Sequence, residues 1–259
     1  DWSSDVSWVA YSRREPDAGL MLQEHLNRYP QSPDAPAALY YLGRMKEPAE
    51  PGAARVYYEA LTHHFPNYYY GVIARDRLNQ TAIRQASPSA AVRAQISGWK
   101  LPSANLSSAD FTADSTTQRR IERARLLAKA GLNEIAELEL RYGAKTDSRA
   151  PVLAVEASQI AAARGAPGQG LRNVKSIASS YLSWEFNRVP ATFWKAAFPL
   201  HYRESVERFA QSQSLDPYLV AGLIRQESEF DPRALSRAKA MGLTQIMPGT
   251  GRELSRRLG

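Results

Sequence analysis

No cysteine occurs among the 259 residues, which excludes disulfides and thiol chemistry and leaves the redox compartment open. Histidine is scarce. His25, His63, His64 and His201 do not have metal-ligand spacing, and the adjacent pair His63-His64 points to opposite sides of a helical turn, so neither a metal nor a cofactor is expected. No apolar run approaches the roughly eighteen residues that a membrane span needs, and the stretch Tyr218 to Ile224 is far too short. No basic-then-apolar leader precedes Asp1-Trp2-Ser3, as expected where a signal peptide is absent or already removed. Acidic residues are in deficit, 26 Asp plus Glu against 33 Lys plus Arg, for a formal charge of +7. Such a surface suits an anionic partner, and nucleic acid, acidic lipid and acidic glycopolymer all qualify; the same charge also serves solubility alone.

What is abundant is helical periodicity. The length allows more than one domain. Asp1 to Arg14 is amphipathic, with Val6, Val9 and Ala10 beside Trp2 and Trp8. Helices are then expected over Gly19–Tyr29, Pro36–Met45, Gly52–Phe65 and Tyr69–Leu78, punctuated by Pro30 and Pro66. Short helices joined by small residues and prolines cannot bury their faces alone, so they stack on their neighbours. The stretch Ser87 to Gln118, rich in Ser, Ala, Pro and Thr, reads as a connection. Helices return at Arg119–Lys129, Leu132–Arg141 and Pro151–Arg164; Gly165–Gly170 reads as a turn and Leu171–Leu182 as a further helix. Val189-Pro190 and Phe198-Pro199 mark a boundary before the helix Tyr202–Gln211.

The rest of the chain is organised around Asp216 to Pro248, and within it around Glu227. A helix over Pro217–Phe230, capped by Asp216 and closed by Asp231-Pro232, puts Leu219, Val220, Leu223, Ile224 and Phe230 on one apolar stripe with Glu227 in its middle. A carboxyl held against apolar side chains resists ionising and so tends to keep the proton that a general acid needs. Ser228 reads as a helix-face hydroxyl, since no histidine is spaced to activate it as a nucleophile.

The run Gln226-Glu227-Ser228, Phe230, Ala234, Ser236, Gly242-Leu243, Gln245 and Met247-Pro248 resembles the Glu-Ser and Gly-Leu-x-Gln-x-Met-Pro motifs of soluble lytic transglycosylases. Pro190, Phe193-Trp194, Ala197-Phe198-Pro199 and Tyr202 resemble the entry to that family's catalytic domain, and Tyr41 to Gly71 resembles its tetratricopeptide-like repeats. The resemblance implies an all-α fold: a helical superhelix (residues 1–116), a helical linker layer (117–198) and the N-terminal part of a goose-lysozyme-like catalytic domain (199–259). It implies peptidoglycan as substrate, with Glu227 as the single acid/base. Glu227 would protonate the glycosidic oxygen between N-acetylmuramic acid and N-acetylglucosamine, then take the proton of the muramic C6 hydroxyl as that oxygen closes on C1 to give a 1,6-anhydro product. Formally this is a lyase. Ser236, Gln245 and Met247 would contact the sugar, although Ser236 and Gln245 also read as a turn hydroxyl and a capping amide, and Met247 as core. A periplasmic or cell-envelope location follows from the substrate, with glycan strands as partner and cell-wall proteins as further partners of the superhelix.

Three departures from the pattern stand out. Lys239 stands where a small residue is usual, Thr244 stands where Met is common, and no Ala-Tyr-Asn-Ala-Gly-Pro motif is present. These departures imply an incomplete groove, and with it a second reading, a non-catalytic helical-repeat scaffold for a partner protein or glycan strand, or a peptidoglycan-binding protein with an inactive site. A helix-turn-helix reading of Ala234–Gln245, with Arg233, Arg237 and Lys239 toward DNA, leaves Glu227 unexplained, and no nucleic acid is expected.

Overall fold

The structure, a computed structural model, describes residues 8–103, 106–146 and 149–258. The amphipathic contributions of Trp2 and Val6 lie outside that range. The fold is all-α, as expected: among the described residues the only extended pairings are two isolated bridges, Leu235 with Met241 and Met241 with Ile246. Two compact units are distinguished, residues 1–106 with 180–188, and residues 107–179 with 189–259. The finer division at residues 116 and 198 is retained as a proposal.

The first unit stacks α1 (Ala18–Arg28), α2 (Ala35–Lys46), α3 (Pro51–His64), α4 (Tyr69–Asn79), α5 (Thr81–Gln85) and α6 (Ala90–Ser97). Prolines at the first or second position of α2 and α3 start helices where the missing N–H leaves nothing unsatisfied. Consecutive helices pack around Leu26, Leu39, Tyr57, Tyr58, Leu61 and Phe65, all essentially without solvent contact. Close approach needs glycine: a Cβ at Gly71 would run into the Phe65 carbonyl oxygen. Asn67 holds segment 180–188 in this unit, its N–H donating to the Leu182 carbonyl (3.1 Å) and its side-chain amide to that of Trp184 (2.6 Å). The Ser/Ala/Pro-rich connection is more ordered than expected. Ser89 accepts a hydrogen bond from the Val92 N–H (3.4 Å) and caps α6, whose Ile96 is buried together with Trp99.

The second unit contains α7 (Ser115–Lys129), α8 (Asn133–Thr146), α9 (Ala150–Ala163), α10 (Pro167–Ile177), α11 (Ala191–Ala197), α12 (Arg203–Ser212), α13 (Pro217–Ser228) and α14 (Pro248–Leu258). α7 begins earlier than periodicity suggests because Asp114 accepts from the Thr117 N–H (2.8 Å). Of the expected turn at Gly165–Gly170 the turn itself is confined to Arg164–Gly165, and from Pro167 the chain is already in α10. Ile121, Leu140, Leu153 and Ile160 form one core, and Val206, Ala221, Ile224 and Phe230 another. Between α8, α9 and α10, the buried Glu137 receives Arg164 Nη2 (2.7 Å) and Asn173 Nδ2 (2.9 Å). A buried carboxylate is tolerated there because its oxygens are paired.

Candidate active site

α13 begins as the sequence dictates: Asp216 accepts from the Tyr218 N–H (2.8 Å) and Pro217 occupies the first turn. It ends at Ser228, two residues before the expected Phe230, because Glu229 and Phe230 both adopt left-handed backbone, φ 53° and 64°. The side chain of Glu229 is then drawn to α10, where it accepts from Lys175 Nζ (2.6 Å) and pairs with Arg172 Nη1 (3.4 Å). Arg225 donates to the Ala197 carbonyl (3.1 Å) and lies over the Phe198 ring. These contacts to Glu229 and Arg225 fix the end of α13. Sequence reasoning missed them, since the partners of Glu229 lie 54 and 57 residues away.

The expectation of a sheltered Glu227 needs correction: its side chain is exposed. The apolar stripe of α13 is wider than the surface that receives it. One edge, Ala221, Ile224 and Ser228, faces the core, whereas the row Leu219, Leu223 and Glu227, four residues apart, faces outward. Leu219 is 66% exposed and Leu223 49%, so Glu227 shares an apolar face that is open to water. Among the described residues it has no ion-pair partner.

Beyond the helix the chain makes a compact loop. Met241 and Ile246 exchange two backbone hydrogen bonds of 3.0 Å, and the Ser228 hydroxyl, buried, donates to the carbonyls of Leu243 (2.8 Å) or Ile224 (3.1 Å). Ser228 is thus a tie between α13 and the loop. Ser236 Oγ accepts from the Ala240 N–H (3.0 Å), which leaves its O–H available. The Gln245 amide nitrogen donates to the carbonyls of Ala234 (3.1 Å) and Gly242 (3.0 Å), which leaves its oxygen available. These three bonds are those of a turn hydroxyl and a capping amide. Met247 is 45% exposed and is not a core residue. Lys239 and Gln245 have φ of 66° and 50°, left-handed backbone that only glycine adopts without strain. The structure therefore brings Ser236 and Gln245 into one braced loop, joined to the helix of Glu227 through Ser228.

Residues 204–259 match the family described as Transglycosylase SLT domain. Over 55 residues the chain is 42% identical to the transglycosylase of Enterobacteria phage PRD1, covering 21% of this chain and 21% of that protein. Over 59 residues the chain is 39% identical to membrane-bound lytic murein transglycosylase C of Actinobacillus pleuropneumoniae serotype 5b, covering 22% of this chain and 16% of that protein. The fold resembles the lytic transglycosylase Slt of Pseudomonas aeruginosa, solved as an inactive mutant, with a TM-score of 0.57 and 19% identity over 99% of this chain and 37% of that one. The matched stretch thus spans about a fifth or less of each of these two curated relatives. Among the described residues no helix is long and apolar enough to cross a membrane, and no group of three or more His, Asp or Glu is placed to hold a metal ion.

Proposed function

We propose that the chain belongs to a peptidoglycan lytic transglycosylase with Glu227 as its single acid/base, acting in the periplasm or cell envelope on the β-1,4 bond between N-acetylmuramic acid and N-acetylglucosamine. The observation that carries this reading is the SLT domain match over residues 204–259, which contains Glu227 on the outward face of α13. A glycosidase of the usual kind needs two carboxyl groups flanking the bond. Here one suffices, because the muramic C6 hydroxyl replaces water as the nucleophile. Glu227 gives its proton to the leaving oxygen. As a carboxylate it then accepts the C6 hydroxyl proton while that oxygen bonds to C1, and the 1,6-anhydro ring closes without net consumption of water. The Ser236 O–H and the Gln245 Oε1 are free to bond the sugar, with Met247 against its apolar face. A glycan strand lying over Leu219 and Leu223 would screen Glu227 from bulk water.

Digestion of purified murein sacculi tests this. The wild type releases 1,6-anhydro-muropeptides and Glu227→Gln reduces their release by about 100-fold or more. No anhydro product from the wild type, or equal product from both, refutes it. The exposure of Glu227 favours a second reading, in which the SLT domain and the helical repeats bind peptidoglycan without cleaving it. Sacculus binding without turnover, undiminished in Glu227→Gln, is its signature.

A further inference from the structure

A cavity of about 280 Å³ lies among α9, α10, α11 and the turn that follows, and no residue of α13 lines it. Its walls are largely apolar, formed by Val155, Ala162, Leu171 and Pro199, with Ser158, Gln159 and Thr192 supplying uncharged hydrogen-bonding groups. No acidic side chain lines it. The one formal positive charge in the lining is Lys195, an exposed side chain with no ion-pair or hydrogen-bond partner among the described residues. Two acids of the same unit are engaged elsewhere: Glu156 accepts from Arg125 Nε and Nη2 (2.6 and 2.7 Å), and Glu137 accepts from Arg164 and Asn173. His201 closes one side of the cavity, its ring edge-on to Phe230 at 5.3 Å. Burial lowers the His201 pKa, so near neutral pH it adds a hydrogen-bonding ring and no second charge.

An unpaired ammonium at an acid-free, aliphatic hollow complements a compact anion with an apolar body. The volume lies just under the range of about 300–1,000 Å³ of cavities that hold drug-sized ligands, which limits the occupant to something of dipeptide size. We propose that this cavity binds a small aliphatic carboxylate, with the carboxylate on Lys195 and the aliphatic part against Val155, Ala162 and Leu171. Two sources carry that chemistry: the C-terminus of a short peptide with small side chains, and a free branched-chain acid. Ser158, Gln159 and Thr192 offer partners for a peptide amide, which a free acid lacks. The site goes beyond the reaction proposed above and does not depend on it.

The test is a titration of the whole chain, followed by amide resonances at residues 155–201, with N-acetyl-Ala-Ala, its C-terminal amide, and isovalerate. N-acetyl-Ala-Ala produces saturable shifts at Leu171, Lys195 and His201. The C-terminal amide binds about tenfold more weakly, as does N-acetyl-Ala-Ala to Lys195→Gln, because a charge-assisted hydrogen bond is lost. Lys195 is exposed, so the variant keeps its fold, and an unchanged melting midpoint verifies that. Isovalerate binding as well as the acetylated dipeptide assigns the site to free acids. Binding of the dipeptide alone assigns it to peptide termini. Absence of saturable shifts with both acids, or equal affinity of the amide or of Lys195→Gln, overturns the proposal. Neither result bears on anhydro-product release, so the two claims fail separately.

Discussion

Ser228 Oγ lies 2.8 Å from the carbonyl oxygen of Leu243, so the residue directly after Glu227 fastens α13 to the loop that carries Gln245 and Met247. Removing the hydroxyl leaves that carbonyl without this donor in a half-buried setting. Ser228→Ala is expected to cost about 1–3 kcal/mol, read as a lower denaturation midpoint. A midpoint equal to that of wild type means the tie contributes nothing.

Stability should fall on mild acidification. Burial lowers the pKa of His25, His64 and His201 below the ordinary 6.5. The unfolded chain therefore takes up more protons than the folded one as pH drops through 6.5, and stability present above that value is progressively lost toward the lowered folded values. Urea midpoints at pH 7.5, 6.5 and 5.5 should decrease in that order. His201→Gln should make the trend shallower. A midpoint that rises on acidification contradicts the assignment.

Gly71 packs against the Phe65 carbonyl, and neither backbone can give way cheaply. Gly71→Ala should destabilise the first unit by about 1–3 kcal/mol, as overpacking does, whereas Gly222→Ala on the open face of α13 should be neutral or slightly stabilising. Thermal unfolding of the two variants side by side decides the point, and equal midpoints would sink it.

Glu137 sits at the junction of α8, α9 and α10 with Arg164 and Asn173 both donating to it. Glu137→Ala strands those donors and should cost about 3–5 kcal/mol, while Glu137→Gln, which keeps one acceptor, should cost less. If the two substitutions prove equally mild, the carboxylate is not what organises the junction.

Much of this architecture was legible in the residues. Asp216-Pro217 announced the start of α13, and the Leu/Tyr periodicity of residues 19–78 located α1 to α4 within a residue or two. Ala90–Ser97 was missed because a one-residue cap, Ser89, decides the helix in a composition that otherwise reads as loop. The exposure of Glu227 was missed for another reason. A helical wheel ranks which side chains share a face, but it does not say which arc of that face meets the core, and here the core takes only the Ala221, Ile224 and Ser228 edge. The ion pairs of Glu229 were out of reach because charge carries no periodic signal over more than fifty residues of separation.

Glu229, Phe230, Lys239 and Gln245 all hold left-handed backbone within seventeen positions. Non-glycine residues keep that geometry only where surrounding bonds over-determine it, here the Gln245 amide, the Ser236 turn and the Ser228 tie. A segment immobilised in advance surrenders little freedom when a molecule settles on it. Whatever docks beside Glu227 meets a stiff template, not a floppy tether.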